Sequence, residues 1–222
     1  MRRLNHPRRS MGGKDFSLSA VLKEGWELTK VNIGFLVVYQ IILYAVAILF
    51  GGNEGGWKMA PLHLIGFVIV MLGKMGLYQS ILIMTTGNKP GFDQFYRNWP
   101  LFFSWLVANI LFGLMFVIGL VLLIVPGCYV LARYGLFPFF ILDKKLGPLD
   151  ALKQAGESTE GMRWQLFLLF LVCFALNILG MLFFLVGLLI TVPVTLFALA
   201  TVYRRLTGQE KNSIQPADIG AS

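Results

Sequence analysis

The chain has 222 residues, 57% hydrophobic and 14% charged, with a mean hydropathy of +0.72. A soluble domain carries about 45–50% apolar and about 25% charged residues, so composition excludes an ordinary soluble domain and a disordered chain alike. The net charge is +8, and two cysteines are too few for a disulfide scaffold.

Residues 1–16 form a basic tail with Arg2, Arg3, Arg8 and Arg9. The first long apolar run begins only near Ile33 and lacks a small-residue cleavage pattern, so the tail reads as uncleaved and cytoplasmic. Residues 18–30 follow with helical periodicity. Leu18, Val21, Leu22, Gly25, Trp26 and Thr29 are placed on one face, and Lys23, Glu24, Glu27 and Lys30 on the other. This amphipathic segment is expected in the cytoplasmic headgroup plane.

A spanning helix needs about 20 mostly apolar residues. Spans are predicted over 31–50 and 61–86, separated by the glycine-rich turn at Gly51-Gly52-Asn53. Two longer apolar blocks then follow, each about right for two spans. Pro126 and Pro193 mark the expected turns, which gives spans over 101–125 and 127–142, then 164–190 and 192–206. Between the blocks lies a second amphipathic segment, 148–160, with Leu149, Leu152 and Ala155 opposite Asp150, Lys153, Glu157 and Glu160. Gly147-Pro148 suits its start. The predicted fold class is therefore all-α. It is a polytopic membrane helix bundle of six spans in three hairpins, with cytoplasmic amphipathic helices, an integral domain over 17–206 and a cytoplasmic tail over 207–222.

Counting cations orients the bundle. With both termini inside, 16 of the 19 Lys and Arg residues fall in cytoplasmic segments, and the outer loops hold only Lys58. That bias matches the positive-inside rule and attraction to anionic headgroups, in a bacterial cytoplasmic (inner) membrane. The lipid bilayer and other membrane proteins are the expected partners. Nucleic acid is not, because no basic-aromatic module accompanies the charge.

The chain also repeats itself. Asn109-Ile110-Leu111, Gly119-Leu120 and Val125-Pro126 are echoed by Asn177-Ile178-Leu179, Gly187-Leu188 and Val192-Pro193. Leu22-Lys23 and Glu27-x-Thr29 are echoed by Leu152-Lys153 and Glu157-x-Thr159. These echoes read as copies of one unit, a cytoplasmic segment followed by a hairpin. The copies have parallel topology, unlike the inverted repeats of many transporters.

The run Ile124-Val125-Pro126-Gly127, Leu131-Ala132-Arg133-Tyr134 and Phe140-Ile141-Leu142-Asp143 continues through Leu146-Gly147-Pro148-Leu149-Asp150-Ala151-Leu152-Lys153, Gly161-x-Arg163-Trp164 and Gly187-Leu188-Leu189-Ile190-Thr191-Val192-Pro193 to Tyr203. It resembles a group of uncharacterised bacterial multi-pass membrane proteins related to the membrane domain fused to some glycerophosphodiester phosphodiesterases. The resemblance covers residues 100–206 best. It implies a six-span inner-membrane protein and no reaction, and phosphodiesterase chemistry is not carried over.

Charged residues within spans are the default functional candidates. Two occur, Lys74 and Arg133, and no Asp or Glu accompanies them. That absence argues against a proton relay and against acid–base catalysis. The pair could face an anion, or could snorkel and cap backbone carbonyls. Asn109 and Asn177, at equivalent repeat positions, are read as interhelical hydrogen-bonding groups, with a polar patch on a substrate path as the alternative. The histidines His6 and His63 fall on opposite sides, and no nucleotide or nucleophile motif is present. No catalytic residue, cofactor or metal is expected. The leading functional reading is a non-enzymatic membrane protein in envelope organisation or scaffolding. The alternative is a small transporter or channel for an anionic solute or lipid.

Overall fold

A computed structural model describes residues 16–51, 60–91, 93, 97–122, 124–182 and 186–209. The basic tail, the Gly52–Gly56 turn, Lys58 and most of the C-terminal tail lie outside the described residues. Among those described there are eight α-helices and no strand. They are α1 (Leu18–Gly51), α2 (Ala60–Met84), α3 (Phe102–Leu122), α4 (Ile124–Tyr134), α5 (Phe137–Lys144), α6 (Pro148–Ser158), α7 (Arg163–Leu182) and α8 (Leu188–Leu206), and a 3-10 turn over Trp99–Leu101 leads into α3. Five of these (α1, α2, α3, α7 and α8) are long and apolar enough to cross a membrane.

The first amphipathic segment and the first predicted span form one helix. At 34 residues, α1 is roughly 51 Å long at 1.5 Å per residue, well beyond a bilayer core of about 30 Å. Its first turns pack on α8 instead of standing apart. Two assignments within 18–30 are corrected. Glu24 is buried rather than on the polar face, and Trp26 is exposed rather than on the apolar one. The reason is a close crossing. A Cβ on Gly25 would lie 2.8 Å from the Val194 carbonyl oxygen and 3.1 Å from the Ala198 nitrogen. The face of α1 that carries Val21, Glu24, Gly25 and Leu28 is thus the one against α8, and Glu24 finds partners there. The second amphipathic segment begins at Pro148 as expected, with Gly147 as its N-cap. It buries Ala151, Leu152 and Ala155 while Leu149 stays exposed.

Both proline-marked turns fall earlier than expected. Pro126 is the third residue of α4, which begins at Ile124, while α3 ends at Leu122. Proline is tolerated in a first turn because those N–H groups have no helical partner. Pro193 lies inside α8, and the chain turns at Val186-Gly187. An internal proline leaves the carbonyl four residues back without its bond. That carbonyl belongs to Leu189, and Gln40 Nε2 on α1 donates to it at 3.2 Å.

The stretch expected as the fourth span, 127–142, is two helices meeting at Gly135-Leu136. Glycine is a weak helix former, and Pro138 cannot donate to the preceding turn, so the helix stops and restarts. The two pieces run back along α3. Gly119 and Gly127 bring the backbones together, since a Cβ on Gly119 would lie 2.9 Å from the Gly127 nitrogen. Further on, the Phe137 ring stands 5.2 Å from Phe112 and 6.5 Å from Trp105.

The core centres on α8, which is buried over 193–198 and 200–204, and on α5, buried over 137–142. Tyr203 stacks on Phe139 at 5.6 Å and meets Phe140 edge-on at 4.9 Å, while Tyr78 joins Phe139 to Trp105. Helices in lipid gain little from the hydrophobic effect and associate through small-residue contacts and hydrogen bonds. Gly25, Gly119 and Gln40 supply both kinds here.

Candidate functional site, a polar cluster at one end of the bundle

The four sequence-predicted positions do not converge. Lys74 lies in the middle of α2 and is exposed, and nothing among the described residues pairs with it. The carbonyl of its neighbour Gly73 accepts a bond from Tyr39 Oη at 2.9 Å, which fastens α1 to α2. Arg133 is the penultimate residue of α4. Its guanidinium stands 5.9 Å from the Tyr129 ring and 5.2 Å from the Tyr134 ring, and Nη1 donates to Tyr129 Oη at 3.1 Å. Arg163, at the start of α7, approaches the same Tyr129 ring at 5.2 Å. Arg133 is therefore held at a helix end by aromatic faces. Its helix packs on α3, α6 and α7, whereas α2 packs on α1, α5 and α8.

The two asparagines differ. Asn109 Nδ2 donates to the Trp105 carbonyl at 2.8 Å, a bond within its own helix. Asn177 makes the same backbone bond to Cys173 at 2.7 Å and also reaches α8. Its Oδ1 accepts from Thr191 Oγ1 at 3.2 Å, and its Nδ2 lies 3.4 Å from Thr195 Oγ1. Asn177 is thus an interhelical group as expected, and Asn109 bonds within α3.

Of the groups that gather, Lys144, Arg204 and Arg205 were counted in the sequence only as inside charges. At the C-terminal end of α8, Arg205 Nη2 meets Glu24 Oε2 of α1 at 3.1 Å, and Thr201 Oγ1 stands 3.4 Å from Glu24 Oε1. Glu24 keeps 9% of its surface exposed, so losing Arg205 would leave a shielded carboxylate without that cation, a costlier change than breaking a surface pair. Arg204 is buried, and its Nη2 donates to the Leu82 carbonyl in the last turn of α2 at 3.0 Å. The same carbonyl also accepts from Thr85 Oγ1 at 2.7 Å, and Arg204 sets a cation at the negative end of that helix. Asp143 in the last turn of α5 accepts from Tyr203 Oη, and also from Gln209 Nε2 at 3.0 Å. Lys144 Nζ donates to Gln154 of α6 at 3.1 Å, and Thr159 Oγ1 donates to the Arg133 carbonyl at 3.0 Å.

These side chains come from α1, α5, α6, α8 and the residues just after α6 and α8, bond to carbonyls of α2 and α4, and meet at a single end of the bundle. Positive-inside counting assigned Lys144, Arg204 and Arg205 to one side and took no account of Glu24 or Asp143. By periodicity Glu24 falls on the polar face of 18–30 with Lys23, Glu27 and Lys30, which carries no sign of its burial against α8. Chemically the cluster holds helix ends together. Among the described residues, no group of three or more His, Cys, Asp or Glu could hold a metal ion. Compared with family models, with curated proteins and with solved structures, the chain finds no match.

Proposed function

We propose that the protein is a six-span inner-membrane protein with both termini cytoplasmic, and that it works without catalysis, as a scaffold or partner for other membrane proteins in envelope organisation. The observation that carries this reading is where the charged groups place their bonds. Glu24, Asp143, Lys144, Arg204 and Arg205 bond to one another's helices or to helix ends. Around them the exterior is broadly apolar, with Ile48, Leu49, Val121, Leu122 and Leu182 all at least 71% exposed. Rigid helix ends and an apolar flank suit a bilayer-embedded body that presents its sides to neighbours. The sixth crossing is the one made by α4 and α5 together, whose break has Leu136 buried and Gly135 against Phe170 of α7. Non-helical backbone at membrane depth is tolerated where protein covers it. The proposed kinship with the membrane domains fused to glycerophosphodiester phosphodiesterases agrees with this body plan.

Lys74 favours a second reading, transport of an anionic solute or lipid, because an exposed cation in mid-span is costly without a role. Efflux of a trapped anion from proteoliposomes separates the two. The scaffold reading expects efflux equal to that of protein-free vesicles. An efflux that disappears in Lys74→Leu and Arg133→Leu variants overturns it in favour of transport.

A further inference from the structure

A cavity of about 440 Å³ lies where the C-terminal part of α2, the 3-10 turn before α3 and the end of α5 come together. The volume is in the range of small-molecule sites. Its polar lining is Gln79, Arg97, Asn98 and Lys145, and its apolar lining includes Ile83, Leu101 and Leu142.

Three features point to one kind of ligand. First, Arg97 and Lys145 are both exposed, and among the described residues no acidic side chain lines the cavity beside them. Asp93 does approach Arg97, but at 3.6 Å and with both side chains largely exposed, a contact of little strength. Second, Gln79 holds its Oε1 buried with no hydrogen-bond partner. An unpaired buried acceptor is costly, and a ligand hydroxyl or other donor would remove the cost. Third, Lys145 caps α5 with φ 53°. Glycine would hold that conformation freely, whereas a lysine bears about 1–2 kcal/mol for it. Strained residues concentrate where a side chain has work to do.

We infer that this cavity binds a phosphate anion that also carries a hydrogen-bond donor, either on a phospholipid headgroup or free in solution. Arg97 and Lys145 neutralise the phosphate, Gln79 accepts the donor, and Ile83, Leu101 and Leu142 take the apolar remainder. The lipid source rests on the membrane placement proposed above. The free-phosphate source does not, so a failed topology and a failed site give different results.

The test uses the full chain in neutral detergent. Native mass spectrometry with equimolar phosphatidylglycerol and phosphatidylcholine reads the lipid arm, and the unfolding temperature with added inorganic phosphate reads the free arm. We expect retention of phosphatidylglycerol about tenfold or more above phosphatidylcholine, as for loss of charge-assisted bonds. An Arg97→Gln/Lys145→Gln double variant should remove the preference, as should Leu101→Trp, which fills the cavity without changing charge. A surface control, Lys89→Gln/Lys153→Gln, should keep it. A phosphate-dependent rise in unfolding temperature, lost in the same variants and without lipid preference, assigns the site to free phosphate. The proposal is overturned if neither probe is preferred, or if the preference survives the double variant.

Discussion

Asn109 and Asn177 look alike in the repeat but bond to different things. Asn177 joins α7 to α8 through Thr191 and Thr195, while among the described residues Asn109 bonds within α3. Interhelical polar contacts in membranes contribute about 0.6–1.7 kcal/mol. Asn177→Leu is therefore expected to cost about 1 kcal/mol in reversible unfolding in detergent micelles, and Asn109→Leu less than about half of that. Equal costs would remove the distinction. Gln40 makes a sharper case, because its bond to the Leu189 carbonyl replaces the one that Pro193 cannot make. Gln40→Leu should cost about 1–2 kcal/mol by leaving that carbonyl unpaired. In a Pro193→Ala background the helix can bond its own carbonyl, so the same substitution should cost clearly less. A double-mutant cycle with no coupling would separate the two residues.

Among elements, the α1–α8 crossing depends most on one side chain being absent. The atoms facing Gly25 are backbone atoms of α8, which cannot rotate aside as a side-chain tip can. Gly25→Leu should force the helices apart, cost about 1–3 kcal/mol and lengthen the Glu24–Arg205 contact. Loss of stability by thermal unfolding, with α8 cross-links from position 24 weakened, is the expected result. Gly34, which has open space around it, serves as the control position. Element existence was well marked in the sequence. Pro148 began a helix where predicted, and the apolar blocks became helices. Their turns were misplaced because proline was taken as the turn itself, although a helix accepts it in its first turn and tolerates it within when another helix bonds the freed carbonyl.

At the scale of the whole molecule, α4 and α5 decide the topology. If they cross together, Asn88 and Gln209 share a side with Leu149, and Leu122 shares the opposite side with Val186. If they do not, Gln209 stands opposite Asn88. Single-cysteine labelling with an impermeant reagent, in a background lacking Cys128 and Cys173, is expected to give the first pattern. The segregation of charge to one end argues for it, since Glu24, Leu82, Asp143, Arg204 and Gln209 meet there.

Apolar block length and cation placement are local properties, so the sequence alone determined that this is an all-helical chain with membrane-length helices, and it carried the charge bias on which the proposed orientation rests. Contacts between distant segments are not local. Only the tertiary structure decided that Glu24 is buried against Arg205, that Gln40 answers Pro193, that Arg97 and Lys145 line one cavity with Gln79, and that Lys74 and Arg133 stand apart. Periodicity tells which face of a helix is apolar. It does not tell which other helix will come to lie against that face, because that is set by where small residues let two backbones approach and where an unpaired polar group finds its partner.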